Sequence, residues 1–260
     1  MPMHDTLCAV EITKTLRTPL LVRVYDTLDS TNNEAKRLAL SGETADLLLL
    51  AEQQTAGRGR LGRSFYSPPG SGLYMTFMLH GVQEYADAML LTTMAATAVV
   101  EAVRSLTPLE PQIKWVNDVY LGGRKACGIL TEAITDPATG RLNAVLIGIG
   151  INVREAAYPA DIADIATHLP IAPVTRNQLA ATIANCLTDY MAALPHRPFL
   201  ETYRAHSLVV GKPILCMVGE RRFPATAIGI DDNGGLLIRL SDDTQQTLQG
   251  GEISIRLQEQ

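Results

Sequence analysis

The sequence predicts an α+β protein in two parts: a mixed β-sheet carrying helices over residues 1–208, then a small antiparallel barrel over 209–260. Three observations lead there. Strand-like and hairpin-like segments before residue 208 outnumber any regular strand–helix–strand alternation. Residues 87–106 form one long apolar helical stretch suited to packing on a sheet. From Val209 short strands are punctuated by Gly219, Asp232-Asn-Gly-Gly and Gly250-Gly251, the texture of a small barrel. With 260 residues and 47% hydrophobic content, the chain can bury a sizeable core.

The elements follow in order. Leu21-Val-Arg-Val-Tyr25 alternates as a strand and runs into a helix start, where Thr31-x-x-Glu34 has the capping-box pattern. Ala35, Leu38 and Ala39 give that helix an inner face, and Gly42 stops it. Asp46-Leu-Leu-Leu-Leu-Ala51 and Leu73-Tyr-Met-Thr-Phe-Met-Leu79 are strands. Residues 112–118 are read as one strand, and Gly122-Gly123 as the turn of a hairpin whose second strand opens at Lys125. Asn143 to Val153 is a further strand, whose glycines 148 and 150 imply that a ligand or another backbone lies close on one face. The strand at 142–152 is also read as a free edge for side-by-side pairing, in a homodimer or with a partner. Helices are expected at 160–168, 175–194 and 198–206.

Composition removes several classes. Net charge is −5, from 22 basic and 27 acidic residues, so there is no general footprint for nucleic acid or anionic membrane. Cys8, Cys127, Cys186 and Cys216 are far apart, which suits reduced thiols in the cytoplasm. The opening Met1-Pro-Met-His-Asp5 has no signal segment, and the uncharged run Ala88–Val100 is too short to span a bilayer. GxxxxGK[ST], HExxH and GxSxG are all missing, so any nucleotide is held without a P-loop, and zinc or serine-hydrolase chemistry is set aside.

Chemistry concentrates in residues 53–72, which hold five glycines, Arg58, Arg60 and Arg63, and no acidic residue. Gly57-x-Gly59-x-x-Gly62 fits the dinucleotide fingerprint literally, but Pro68, Pro69, Gly70 and Gly72 forbid the helix that the fingerprint needs. Arginine's donor fork matches carboxylate and phosphate, so this loop reads as one that closes over an anion rather than as a solvated surface loop. Ser30, Thr31 and Asn32 are in isolation an ordinary helix start, although free amides there can also hold polar ligand groups. Lys114-Trp115-Val116-Asn117-Asp118 ends a strand in polar groups, which alone could be an edge strand entering a turn. Lys125 alone is most simply a solvated hairpin lysine.

Together these blocks resemble one family. Asp29-Ser-Thr-Asn32, Gln54-x-x-Gly-Arg-Gly-Arg-x-Gly-Arg63, Lys114-Trp-x-Asn-Asp118, Arg124-Lys-x-x-Gly-Ile-Leu130 and Gly148-x-Gly-x-Asn152 stand in the order and spacing of biotin–protein ligases, and Gly251-Glu-Ile-Ser-Ile-Arg256 is similar to their closing motif. The resemblance implies a class II aminoacyl-tRNA synthetase-like catalytic domain followed by an SH3-like barrel. It also implies a two-step reaction, in which biotin and ATP with Mg2+ form biotinyl-5′-AMP, and biotin then passes to a lysine of a biotin carboxyl carrier domain. By the same resemblance biotin is held by Ser30, Thr31, Asn32, Gln54, Gly57, Arg58, Gly59, Arg60, Lys125, Gly148 and Gly150. The nucleotide falls to Arg60, Arg63, Phe65, Lys114, Trp115, Asn117, Asp118, Asn152 and Arg256, with magnesium near Asp118. Arg58, Arg60, Lys114 and Lys125 are then the catalytic set.

The chain departs from the family pattern at Phe65, where tryptophan is usual, and at Val116, where proline is usual. About twenty residues precede the first catalytic strand, too few for the DNA-binding domain of some relatives, so the resemblance is to a short form without DNA as a partner. The competing readings are a lipoate– or octanoate–protein ligase of the same fold and a biotin-sensing module without transfer chemistry. Retention of Lys114, Asn117, Asp118 and Lys125 favours catalysis over sensing.

Overall fold

The computed structural model describes residues 5–81, 88–136 and 138–249, with residues 253–257 as backbone. Seven strands form the main sheet: β1 (Leu21–Leu28), β2 (Leu47–Gln54), β3 (Gly72–Leu79), β4 (Gln112–Lys114), β5 (Asp118–Leu121), β6 (Arg124–Thr135) and β7 (Leu142–Asn152). They lie in the order β1-β2-β3-β7-β6-β5-β4, with β1 and β2 parallel and all other neighbours antiparallel. The helices are α1 (Ala9–Thr15), α2 (Thr31–Leu40), α3 (Ala88–Leu106), α4 (Arg176–Ala192) and α5 (Phe199–Ala205). A mixed sheet with helices is thus what the pattern of strands and hairpins predicts.

Strand parity decides which face each helix covers. On β2, Leu48 and Leu50 enter the large core with α3 and α4, while Leu47 and Leu49 pack with Ala35 and Ala39 of α2. Both faces of β2 are covered, so its side chains read as a continuous apolar run rather than alternating. By length and composition α3, at 19 residues and a mean hydropathy of 1.3, could cross a membrane, but 72% of that window is buried inside the fold. It is a core helix, longer than the uncharged run suggests because Glu101 and Arg104 extend it.

The C-terminal strands β8 (Pro213–Val218), β9 (Arg221–Ile230), β10 (Leu236–Arg239), β11 (Gln245–Leu248) and β12 (Ile253–Leu257) form an antiparallel sheet in the order β11-β10-β9-β8-β12. This is the small SH3-like part expected from Val209 onward; Gly250 and Gly251 lie outside the described residues. Its core is continuous with that of the main sheet through Val209, Ile214 and Cys216. Trp115, 4% exposed, donates its indole N–H to the Gly234 carbonyl at 2.9 Å and so ties the turn after β4 to the β9–β10 hairpin. Trp115→Phe should therefore lower stability by about 1–2 kcal/mol, because the ring is nearly replaced but the buried carbonyl loses its donor. A denaturant midpoint equal to that of the unmodified chain would show the bond to be immaterial.

Several expectations need correction. Residues 160–168 are not a helix: Lys125 N–H donates to Ile165 O and Thr167 N–H to Lys125 O, both at 2.8 Å, so β6 captures the backbone groups a helix would use. The strand expected over 112–118 is interrupted at Trp115–Asn117, and Lys114 pairs with Asp118 across the resulting turn. β7 is no edge, since it pairs with β3 on one side and β6 on the other; the edges are β1 and β4. Thr31 does not cap α2. Ser30 is the N-cap, without a side-chain cap bond, and Gln54 of β2 takes the Thr31 N–H instead. A complete capping box does occur at Thr175 and Gln178, opening α4. The sequence reading also missed α1, whose Ile12 is fully buried.

Candidate active site

The site grows from a patch of sheet that lacks side chains. Gly148 pairs with Thr76 on β3 and Leu130 on β6; Gly150 pairs with Tyr74 and Gly128. Residues two apart point the same way, so Gly128, Gly148 and Gly150 leave a shallow concavity beside the start of α2. A Cβ at Gly148 would land on the Asn32 carboxamide, which accounts for glycine there. Asn32 is 4% exposed and fully committed internally: Nδ2 donates to Glu132 Oε2 at 2.8 Å, and Oδ1 lies 2.6 Å from the Thr76 hydroxyl. It shapes the pocket wall rather than offering a free amide. Thr31 donates N–H and Oγ1–H to Gln54 Oε1 at 2.8 and 3.1 Å. Just outside α2, Asp29 accepts from Arg37, Asn33 and the Ser30 N–H, and the Arg37 guanidinium holds its carboxyl well below the usual carboxylate range. Ser30, Thr31, Asn32, Gln54, Arg58, Gly148 and Gly150 all line the resulting narrow pocket.

The arginine loop crosses this pocket as a small hairpin. Gly59 N–H donates to Arg63 O at 2.7 Å and Phe65 N–H to Gly57 O at 2.8 Å, with Arg58 and Ser64 bridged. Gly57 is needed because a Cβ would sit 2.6 Å from Ser67 Oγ and against the Phe65 carbonyl. The loop carries no acid of its own, but its charge does not stand alone: Glu132 Oε2 lies 2.8 Å from Arg58 Nη1, and Arg60 Nη1 donates to Asn117 Oδ1 at 3.0 Å. Burial pulls the Arg60 guanidinium below its ordinary pKa, with the Asp118 carboxylate opposing. The Phe65 ring packs on Gly150 and meets Tyr74 edge-on at 6.4 Å.

Beyond Phe65 opens a cavity of about 650 Å³. Gly59, Arg60, Arg63, Lys114, Trp115, Asn117, Asp118, Lys125 and Asn152 all line it. Lys125 Nζ sits 2.6 Å from Asp118 Oδ1. Lys114 Nζ donates to Tyr120 OH at 3.2 Å, and Asn152 Nδ2 donates to Thr167 O at 2.9 Å. Arg58, Phe65 and Gly128 line both the narrow pocket and this cavity, so the two adjoin. Of the residues expected around biotin, Gly59, Arg60 and Lys125 therefore lie on the larger cavity, and Gly57 supports the loop without lining either. Arg256 stands on β12 opposite Leu215; its side chain lies outside the described residues.

Sequence reasoning missed Glu132, Ser67 and Thr76, which hold the predicted residues in place, and also the wall formed by Tyr158, Ile162 and Ile165. Parity was the available signal for two of them. Thr76 faces the same side as Met78, and Glu132 is two residues on from Leu130, the partner of Gly148.

Chemically, a narrow pocket beside the start of α2 opens into a larger cavity lined by Arg60, Arg63, Lys114 and Lys125, and the two meet under Arg58. Such a site can bring two anions together and stabilise charge that develops between them.

Comparison with known proteins agrees with that geometry. The profile of the Biotin/lipoate A/B protein ligase family matches residues 24–152, and that of the Biotin protein ligase C terminal domain matches residues 212–256. The Biotin--[acetyl-CoA-carboxylase] ligase of Paracoccus denitrificans is 31% identical, over 81% of this chain and 91% of its own length. The Bifunctional ligase/repressor BirA of Bacillus subtilis is 33% identical over 84% of this chain and 69% of its own. Among solved structures, the biotin protein ligase from Aquifex aeolicus in complex with biotin and ATP superposes with a TM-score of 0.79 at 27% identity, covering 92% of this chain and 99% of that one.

Proposed function

The chain belongs to the Biotin/lipoate A/B protein ligase family, and from that premise we infer that it activates biotin with ATP and transfers it to acetyl-CoA carboxylase. It is an ATP-dependent, AMP-forming ligase. The observation that carries this reading is the junction of the two cavities at Arg58, Phe65 and Gly128. A carboxylate reaching out of the narrow pocket meets an α-phosphate lying in the larger one.

In the proposed division of labour, biotin's ring enters the narrow pocket beside Thr31 and Gln54, displacing the Phe65 ring from Gly150, and its carboxylate points toward Arg58. Lys125, with Asp118 holding it at 2.6 Å, faces the bond that forms between carboxylate oxygen and phosphorus. Positive charge there offsets the charge accumulating as pyrophosphate leaves, and a preformed group does so without reorganising. Arg60 and Arg63 meet phosphate oxygens; Lys114, Trp115, Asn117 and Asn152 bound the nucleotide, and Arg256 joins them from the barrel. The product, biotinyl-5′-AMP, is a mixed anhydride open to water, and the Phe65 lid shields it until the carrier lysine attacks its acyl carbon and releases AMP.

Asp118 gives the cavity one carboxylate, and among the described residues no cluster of three metal-binding side chains is present. That donor set suits Mg2+ carried in by ATP, an ion held chiefly by phosphates and water with one or two carboxylates. Asp118 would be its protein contact, and the ion would neutralise phosphate charge.

The division into a catalytic part, residues 1–208, and a barrel, 209–260, is kept in this proposal. A cytoplasmic setting is supported by four cysteines that are all free thiols. A homodimer formed by strand pairing on the main sheet would have to use β1 or β4, its edges. Pyrophosphate release from ATP, measured with biotin, lipoate and octanoate in parallel, tests the assignment. Release with biotin alone is expected; release with lipoate or octanoate in preference would move the substrate to a long acyl chain.

A further inference from the structure

A run of partly buried hydrogen bonds connects the wall of the narrow pocket to the far end of the arginine loop. It starts at α2, where the Thr31 N–H donates to Gln54 Oε1 at 2.8 Å. The other end of the same carboxamide, Gln54 Nε2, donates to Ser67 Oγ at 2.9 Å. Ser67 Oγ then donates to the Phe65 carbonyl, also at 2.9 Å. Ser67 is 3% exposed, and the backbone doubles the link through Gln54 N–H to Ser67 O at 3.1 Å.

Each member is engaged on both sides of the chain. A primary carboxamide has one acceptor end and one donor end, and both ends of Gln54 are used. The Ser67 hydroxyl spends its single proton on Phe65 and accepts from Gln54. Rotation of Gln54 toward or away from a ligand therefore breaks its bond to Ser67 unless Ser67 moves with it. The Phe65 backbone so anchored carries the ring that rests on Gly150 and Gly128 over the pocket.

We propose that Ser67 is a positioning residue that couples Gln54, on the biotin pocket wall, to the Phe65 end of the arginine loop, so that its hydroxyl adds to the backbone bond of Phe65 N–H to Gly57 O in holding the lid over the pocket. The proposal rests on the biotin reading of the site. Ser67 touches neither biotin nor nucleotide; it sets where Phe65 lies. Its removal leaves the Phe65 carbonyl and Gln54 Nε2 without their shared partner and loosens the lid. Biotin then escapes faster, while Lys114 and Lys125, which lie outside the loop, stay in place.

The test compares the unmodified protein with Ser67→Ala and with a control, Ser71→Ala. Ser71 lies in the same segment and bonds the Pro68 carbonyl at 3.1 Å, a carbonyl that Tyr74 OH also serves at 2.9 Å. Biotin Kd is measured by calorimetry, kcat by pyrophosphate release at saturating biotin, and amide hydrogen exchange across residues 57–66 by mass spectrometry. Ser67→Ala should raise the biotin Kd about tenfold, keep kcat within about twofold and speed exchange in the loop, while Ser71→Ala stays near the unmodified values. A Kd and exchange pattern for Ser67→Ala equal to the unmodified protein would overturn the coupling. Equal losses in both variants would do so too, because a general packing defect then suffices. If Ser67→Ala does not fold, Ser67→Cys, close in size with a weak donor, carries the same comparison. An unmodified protein that binds no biotin would instead overturn the reading of the pocket.

Discussion

Replacing Lys125 with alanine should lower biotin-dependent pyrophosphate release about a hundredfold, the scale of losing one preorganised group from a site of developing charge. Stability should change little. The Lys125 backbone is held by Ile165 and Thr167 regardless of its side chain, and the side chain is 33% exposed, so its pairing with Asp118 contributes little to folding. A drop in melting temperature of no more than roughly 2–4 °C, equivalent to about 1 kcal/mol in a chain of this size, is expected. The loss should appear in kcat rather than in biotin affinity, since Lys125 lines the larger cavity and not the narrow pocket. A solvated hairpin lysine would leave both rate and stability unchanged, and that result would remove Lys125 from the site.

Arg60→Gly should separate making the adenylate from keeping it. Arg60 lines the larger cavity, bonded to Asn117 at 3.0 Å and close enough to Asp118 to feel its charge, yet it does not line the pocket for the biotin ring. Biotin itself should therefore bind within a few-fold of normal. One charged hydrogen bond to a partly buried phosphate is worth about 1.5–3 kcal/mol, so biotinyl-5′-AMP should be held roughly ten- to a hundredfold more weakly. Glycine also loosens the loop that shields the anhydride. Adenylate released into solution acylates any exposed amine, and serum albumin added to the mixture should become biotinylated. If the variant still makes adenylate but albumin stays as unlabelled as with the unmodified enzyme, Arg60 is not a clamp.

The site was more legible in the sequence than the packing that holds it. Ser30 to Asn32, Gln54 to Arg63, Lys114 to Asp118, Lys125 and the glycines at 148 and 150 lie far apart in the chain, yet apart from Thr55, Ala56, Gly57, Gly62 and Val116 all of them line two adjoining cavities. They were readable because each block combines residue types that a simple fold element does not need. Glu132, Ser67 and Thr76 were not, because each is a single polar residue inside an ordinary pattern. The Asn32–Glu132 bond spans 100 residues of sequence, and no local rule can anticipate it.

The misreadings have the same origin. A helical apolar pattern at 160–168 lost to hydrogen bonds offered by β6, and the supposed edge strand β7 lies between β3 and β6 once the hairpin folds back. The capping box at Thr31 failed because β2 brings Gln54 to that amide. Propensity sets what a segment can do alone, and tertiary partners decided each of these cases.

The central claim is tested most directly by the acceptor. A purified biotin carboxyl carrier domain, incubated with the enzyme, biotin and MgATP, should gain the mass of one biotinyl group on one lysine, with no gain when ATP or biotin is left out. A folded enzyme and a cognate carrier that yield no such mass shift would contradict the account.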